Sequence, residues 1–366
     1  MEETLRSGWL TTGKKVKQLE RDFSIHTGSA HAVAVNSGTA ALHLALEAIG
    51  LKEGDEVILP TMTFTASAEV VLYFKARPVL VDCEPDTFNI DPDRIEEKIT
   101  PRTKAIMPVH FAGQPCNMSK IMEIARSHDL KVIEDAAHAF PAYYQGKMVG
   151  TIGDITAFSF YVTKTITTGE GGMATTDNAE WAERMRMMSL HGISHDAWNR
   201  YSNEGSWYYE VHFPGYKYNM TDLAAAIGIE QLKKANRFWE ARRQIAAAYT
   251  EAFADLSEIV TPVSRPDLQH AWHLYVIQLQ LERLKINRSQ FIEALKQNSI
   301  GTSVHFIPLH LHPYYHKTFG YTPADFPTAS WVFESIVSLP IFPKMNEADI
   351  QHVVTTVKNV VNQNRR

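Results

Sequence analysis

The chain has 366 residues, 45% of them hydrophobic and 21% charged, with a net charge of −5 and a pI near 6.3. That balance suits a globular protein with one large domain and a smaller one, and it leaves no basic footprint for nucleic acid or an anionic membrane. Two cysteines, Cys83 and Cys116, are too few for a disulfide framework or a zinc cage, no run of about 18 apolar residues exists, and the acidic start Met1-Glu-Glu-Thr is unlike a secretory signal, so a cytoplasmic protein is expected.

Residues 7–16 read as an ordered loop, and 15–27 as a short amphipathic helix. From His31 onward short apolar strands alternate with helices. Strands are expected over 31–36, 56–60, 78–82, 104–110 and 131–134, with helices over 39–49, 65–73, 91–98 and 118–128 between them. A further strand over 157–162, another over 173–176 and a helix over 178–189 continue the rhythm. Strands alternating with helices of this length argue for βαβ units, a mainly parallel sheet with helices on both faces, and ligands at the carboxyl ends of the strands. Residues 191–219, rich in Gly, Trp, Tyr and Asn without a period, read as a long functional loop. Helices over 221–234 and 237–256 follow. The proline-bearing run 262–269 is the candidate boundary, giving a large α/β domain over 1–257 and a small α+β domain over 258–366. The small domain is expected to hold strands over 272–281 and 302–306 and helices over 288–297, 329–335 and 347–362.

The most informative stretch is Phe158-Ser-Phe-Tyr-Val-Thr-Lys-Thr-Ile-Thr-Thr-Gly-Glu-Gly-Gly172. It starts as a strand, ends on glycines that suit a tight backbone excursion, and carries Lys164 among threonines with no carboxylate before Glu170. Partial burial would lower the pKa of such a lysine and free an amine that attacks carbonyls. A lysine snorkelling from the end of a buried strand is the plainer reading of Lys164 taken alone.

Two further features sit at carboxyl ends of expected strands. Asn36-Ser-Gly-Thr-Ala40 leads straight into a helix, so the N–H groups of Gly38 and Thr39 could cradle a phosphate, although an ordinary Ser N-cap explains the same residues. Glu134-Asp135-Ala-Ala-His138 places a carboxylate where it could keep a ring nitrogen protonated. Ser159, five residues before Lys164, could add a hydroxyl to the phosphate. A phosphate grip, a pyridinium partner and a Schiff-base lysine on one crevice rim are together what pyridoxal 5'-phosphate requires. Metal-binding spacings and a nucleophile elbow are absent, so no metal is expected.

At these residues the sequence resembles the sugar aminotransferases of the DegT/DnrJ/EryC1/StrS family, which are fold type I pyridoxal phosphate enzymes. The motifs that carry the likeness are Gly8-Trp-Leu-Thr-Thr-Gly13, Ser37-Gly-Thr-Ala-Ala-Leu42, Glu134-Asp-Ala-Ala-His-Ala139, Phe158-Ser-Phe-Tyr161 with Lys164, Gly169-Glu-Gly-Gly172, Gly215-Tyr-Lys-Tyr-Asn-Met-Thr-Asp222 and Ser338-Leu-Pro-Ile-Phe342. The resemblance implies Lys164 as Schiff-base lysine and proton carrier, and Asp135 on the pyridine nitrogen. It implies Gly38, Thr39 and Ser159 on the phosphate, Phe64 stacked on the ring, and His138 on the phenolic oxygen where many members carry glutamine. Asn219 would reach the phosphate from the neighbouring subunit of a homodimer with shared active sites. A branch of 3-dehydratases replaces the lysine with histidine; this chain keeps it, which favours transamination.

The substrate-side motifs, His270-Ala-Trp-His-Leu-Tyr275 and Thr302-Ser-Val-His-Phe306 among them, look most like those of members that make UDP-4-amino-4-deoxy-L-arabinose. Ile307-Pro-Leu-His-Leu-His312 looks more like the family at large. The resemblance implies amino transfer from glutamate to the C4 ketone of a UDP-linked sugar, as in lipopolysaccharide biosynthesis, with Trp9, Thr12, Tyr161, Lys217, His305 and Phe306 near the nucleotide sugar. Action at C3, on a cyclitol or on another ketone stays open, as does a non-catalytic pyridoxal-phosphate-binding regulator.

Overall fold

The computed structural model describes residues 1–193 and 209–366. In chain order the first nine strands are β1 (His31–Val35), β2 (Glu56–Pro60), β3 (Arg77–Val81), β4 (Thr103–Ile106), β5 (Lys131–Asp135), β6 (Tyr143–Tyr144), β7 (Lys147–Met148), β8 (Ile155–Ser159) and β9 (Gly172–Thr176). Helices α1 (Glu2–Ser7) and α2 (Lys14–Thr27) precede them, and α3 (Gly38–Ala48), α4 (Ala66–Leu72) and α5 (Met118–Ser127) lie between them. The central sheet runs β1-β9-β8-β5-β4-β2-β3, and all of its strands are parallel except β9, which is antiparallel to both neighbours. Every residue of β2 is buried, as expected of a parallel strand covered on both faces. Helix α3 is buried from Ala40 through Leu46, His43 included.

Because β9 runs backwards, its first residue lies where the other strands end. The register sets Val35, Gly172 and Ser159 side by side across β1, β9 and β8. Side-chain alternation along β8 sends Phe158 and Phe160 into an aromatic cluster with Phe23 and Phe140.

After α6 (Ala179–Ser189) come α7 (Asp222–Leu232) and α8 (Ala235–Phe253), then β10 (Ile259–Val260), β11 (Leu268–Gln269) and β12 (Tyr275–Leu279). The chain finishes with α9 (Arg288–Gln297), α10 (Pro313–Phe319), α11 (Pro327–Ser335), β13 (Ile336–Leu339) and α12 (Glu347–Asn364). Strands β10, β12 and β13 make a small antiparallel sheet. Its core joins α9 and α12 to Ile245, Tyr249 and Phe253 of α8. The proline-bearing run ends in β11, which pairs with β6 in a second small sheet with β7. Residues 309–332 pack on the first core through Leu309, Tyr315, Phe326 and Val332. Asp82, at the end of β3, fixes this segment by accepting hydrogen bonds from Thr328 N and Ala329 N at 2.9 and 2.8 Å, capping α11 from outside.

Three expectations change. The helix over 91–98 is two short 3₁₀ turns, Pro92–Arg94 and Glu96–Lys98, because only Pro92 and Ile95 are buried there and two anchors three residues apart do not hold a full helix on the sheet. The strand over 302–306 reduces to a single bridge from Ser303 to Ser338. The chain leaves the ladder there so that Phe306 can pack near Phe64, Phe111 and His138. Helix α1 adds a turn that the pattern did not announce. Of the loop expected over 191–219, residues 194–208 lie outside the described residues.

Candidate active site

The carboxyl ends of β1, β2, β5 and β8 meet the start of β9 on one rim. On it, β8 hands over to a loop closed by bonds from Phe160 N to Gly171 O at 2.8 Å and from Thr168 N to Phe160 O at 3.0 Å. The threonine hydroxyls serve this loop rather than the lysine. Thr167 donates to Phe160 O and accepts from Gly169 N, and Thr168 donates to Glu170 O. Lys164 is half-buried, and its Nζ forms no hydrogen bond or ion pair with any described residue. Burial pulls its pKa from 10.5 down to about 8, against the smaller upward pull of Asp135. Near neutral pH a useful share of this amine is uncharged, as a carbonyl-attacking lysine requires.

Asp135 and Glu134 lie on opposite faces of β5 because strand side chains alternate. Glu134 turns inward and is fully satisfied by His110 Nε2 at 2.9 Å, Gly153 N at 2.7 Å and the Thr156 hydroxyl at 2.8 Å. Asp135 faces the rim, where its Oδ1 accepts from Ala137 N at 3.1 Å and its Oδ2 from the Ser67 hydroxyl at 2.7 Å. Ser67 in turn contacts the Thr63 hydroxyl at 2.7 Å. No motif singled out Ser67 or Thr63, although the hydroxyl run at the end of β2 was a usable signal.

The expected phosphate cradle has a steric signature. A Cβ on Gly38 would lie 3.0 Å from Ser159 Cβ, and one on Gly172 only 2.4 Å from the Ser37 carbonyl oxygen. Ser37 does cap α3, accepting from Ala40 N at 3.0 Å. The cap leaves the N–H groups of Gly38 and Thr39, first in the helix, without intrahelical acceptors and beside Ser159.

Histidines line the far wall. His138 stacks on Phe306 at 5.7 Å and lies 4.4 Å from the ring of His273. The Nδ1 atoms of both histidines are buried without a partner. Burial, then the charge of Lys164, holds His138 well below the usual imidazole range and His305 at about 4, so both are neutral at pH 7. His305 is oriented by Ser338 at 2.8 Å. His273 was not among the expected site residues, although its motif was. Phe64 stands 59% exposed at the rim, free to cover a ring.

The remaining expected residues form a second group. Trp9 Nε1 donates to Thr12 O at 3.0 Å, Asn219 Nδ2 donates to Thr12 Oγ1 at 2.7 Å, and Lys217 Nζ donates to Asn219 Oδ1 at 2.5 Å. Asp222 anchors this group by accepting from Lys15 N and Val16 N at 3.2 and 3.0 Å, capping α2. No hydrogen bond or ring contact joins this group to Lys164 among the described residues. Trp9, Thr12 and Asn219 line a cleft with Glu20, Glu183 and Arg186, and Asn219 also bridges Val35 at the end of β1. Tyr161, 44% exposed, lies on the Lys164 rim.

A lysine with a lowered pKa, a buried carboxylate, a glycine-walled helix start and an orphaned imidazole nitrogen fit pyridoxal 5'-phosphate in charge and shape. Fold and site together define a pyridoxal-phosphate-dependent transferase of fold type I. The chain belongs to the DegT/DnrJ/EryC1/StrS aminotransferase family, whose sequence model matches residues 1–358. It is similar to protein MJ1066 of Methanocaldococcus jannaschii, 56% identical over 99% of this chain and 94% of that one. It is also similar to the spore coat polysaccharide biosynthesis protein SpsC of Bacillus subtilis, 52% identical over 98% of this chain and 92% of that one. Among solved structures it resembles Spr1654 of Streptococcus pneumoniae, assigned as a sugar aminotransferase and solved in its PMP-form. That likeness has a TM-score of 0.93 at 35% identity, over 99% of this chain and 95% of the other. The chain is thus a pyridoxal-phosphate-dependent sugar aminotransferase of this family, which sets aside the non-catalytic reading.

Proposed function

We propose that this chain moves the amino group of glutamate to the C4 ketone of a UDP-linked keto sugar, a 4-keto-pentose or 4-keto-6-deoxyhexose, in the cytoplasm. The observation that supports the sugar side is that Trp9 and Thr12 line one cleft, with the Lys217 ammonium linked to Thr12 through Asn219. An ammonium suits a diphosphate, and an exposed aromatic suits a base.

In this reading Gly38 N, Thr39 N and Ser159 Oγ take the cofactor phosphate, and Asp135 pairs with the pyridine nitrogen. Phe64 covers one ring face, and His138 offers its neutral imidazole to the phenolic oxygen. When bound, the cofactor supplies an electron sink for the carbon that loses its proton. Lys164 Nζ, in its uncharged form, takes that proton from the donor's α-carbon and returns one to the sugar carbon. Asn219 would reach the cofactor phosphate from the neighbouring subunit of a homodimer with shared active sites. Phe64, Tyr161 and Val162, all exposed in one chain, would line that contact.

An absorption spectrum of the purified protein, before and after glutamate, tests the reading. A yellow band that glutamate discharges, and that Lys164→Ala cannot form, is the expected result. A screen of UDP-4-keto sugars then follows, with release of the amino sugar as readout. A Lys164→Ala variant that keeps substantial turnover would sink the assignment of Lys164. Discharge of the band by another amino acid and not by glutamate would sink the donor.

A further inference from the structure

Asp135 is a buried carboxylate, 6% exposed, and no lysine or arginine forms an ion pair with it among the described residues. Its direct partners are therefore hydrogen-bond donors, with the charge of Lys164 acting on it from further off. One donor, Ala137 N, comes from its own turn; the other, the Ser67 hydroxyl, comes from the first turn of α4. We infer that Ser67 is a positioning residue, whose hydroxyl, oriented by Thr63, locks the Asp135 carboxylate so that its free lone pairs face the cofactor's pyridine nitrogen. The inference rests on the reading that Asp135 pairs with that nitrogen.

The hydrogen-bond inventory fixes the direction of this relay. A serine hydroxyl carries one proton, and an ionised carboxylate can only accept, so Ser67 donates to Asp135. Thr63 must then donate to Ser67. Both hydroxyls are sealed from water, Ser67 at 0% and Thr63 at 1% exposure, so solvent cannot replace either one. Thr63 is itself held where β2 ends, its N–H donating to Thr61 O at 3.1 Å. With Oδ1 and Oδ2 each tied to a different element, the carboxylate cannot swing about its terminal torsion. The same helix start carries Phe64, so one turn of chain presents the ring-covering aromatic and fixes the group beneath the ring nitrogen. A residue whose only role was to satisfy α4 would have no reason to reach 68 positions along the chain to a carboxylate.

The test uses the full chain, with Asp135→Asn as reference. Three readouts apply: the dissociation constant for pyridoxal 5'-phosphate, the position of the bound cofactor's absorption band, and the thermal midpoint of the cofactor-free protein. Ser67→Ala is expected to weaken cofactor binding about tenfold or more and to displace the band in the direction that Asp135→Asn does, with little change in the cofactor-free midpoint. Thr63→Val, isosteric and away from the ring, should act in the same direction by a few fold, and Thr63→Ser should stay near wild type. If Asp135→Asn loses the cofactor while Ser67→Ala binds it within twofold and keeps the band, the inference falls and the reading of Asp135 stands. If Asp135→Asn itself binds like wild type, both fall. If Ser67→Ala does not fold, Thr63→Val decides, and a wild-type constant and band for it overturn the relay.

Discussion

Gly172→Ala is the sharpest probe of the cradle. Gly172 pairs with Val35 on one side and Ser159 on the other. Its φ lies outside the left-handed region, so the cost of a side chain there is purely spatial. An alanine Cβ would sit 2.4 Å from the Ser37 carbonyl oxygen, 2.5 Å from its carbon and 2.7 Å from Gly38 N. That is about 1 Å short of ordinary van der Waals contact, and every atom in the way is backbone, so no rotamer relieves it. Either β9 parts from β1, or Ser37 and Gly38 retreat and carry the helix start with them. Overpacking of this kind costs about 1–3 kcal/mol of stability. A displacement of about 1 Å at groups that grip a ligand costs on the order of a hundredfold in function.

The assay is titration with pyridoxal 5'-phosphate, with thermal melts run with and without it. Wild type at about 100 times its dissociation constant should gain roughly 2.7 kcal/mol from the cofactor. Gly172→Ala should lose most of that increment as well as some cofactor-free stability. Gly301→Ala, which meets nothing within 4 Å, is the neutral control. A Gly172→Ala protein that binds the cofactor within twofold of wild type and keeps the full increment would refute the cradle as the place where the phosphate sits.

Two further outcomes are expected. Lys164 has a pKa of about 8 in the folded chain against 10.5 for the free side chain. Its amine is therefore increasingly neutral as pH rises through about 8, and the rate at which the cofactor-free protein captures pyridoxal 5'-phosphate should climb over that range. The unfolded chain binds the extra proton between about 8 and 10.5, so this one group makes the cofactor-free protein more stable as pH rises through that window. A capture rate flat from pH 7 to 9 would contradict the burial of this amine. Asp222→Ala removes two charge-assisted caps from α2 and should cost about 1–2 kcal/mol in urea unfolding. It should also loosen the loop that carries Trp9 and Thr12, so UDP binding weakens; an unchanged urea midpoint would refute the cap.

Much of the fold was legible before any coordinates. The strands at His31, Glu56 and Lys131 and the helix over 288–297 lie where local periodicity put them, because apolar spacing responds to neighbours a few residues away. Reading failed where a distant contact overrode it. Residues 302–306 have strand composition, but the pull of Phe306 into the aromatic wall takes them out of the ladder. The site was legible in part, for a related reason. Lys164, Asp135 and the glycines stand in motifs that a backbone must bend around, and such motifs announce themselves. Ser67, Thr63 and His273 occupy ordinary helix and loop positions, where a hydroxyl run or a histidine-bearing motif does not say which member reaches the site.

What the sequence by itself determined is the alternation that builds the sheet, the strand ends that could bear chemistry, and the lysine placed after β8. Tertiary structure alone decided which of two adjacent carboxylates faces the rim, because Glu134 found His110 on the other side of β5. It also decided that Ser67 holds Asp135 across 68 positions and that Asn219 meets Thr12 across 207. Contacts of that span follow from strand order, register and the packing of helices onto the sheet. Those are cooperative properties of the whole chain, and no window of neighbouring residues contains them.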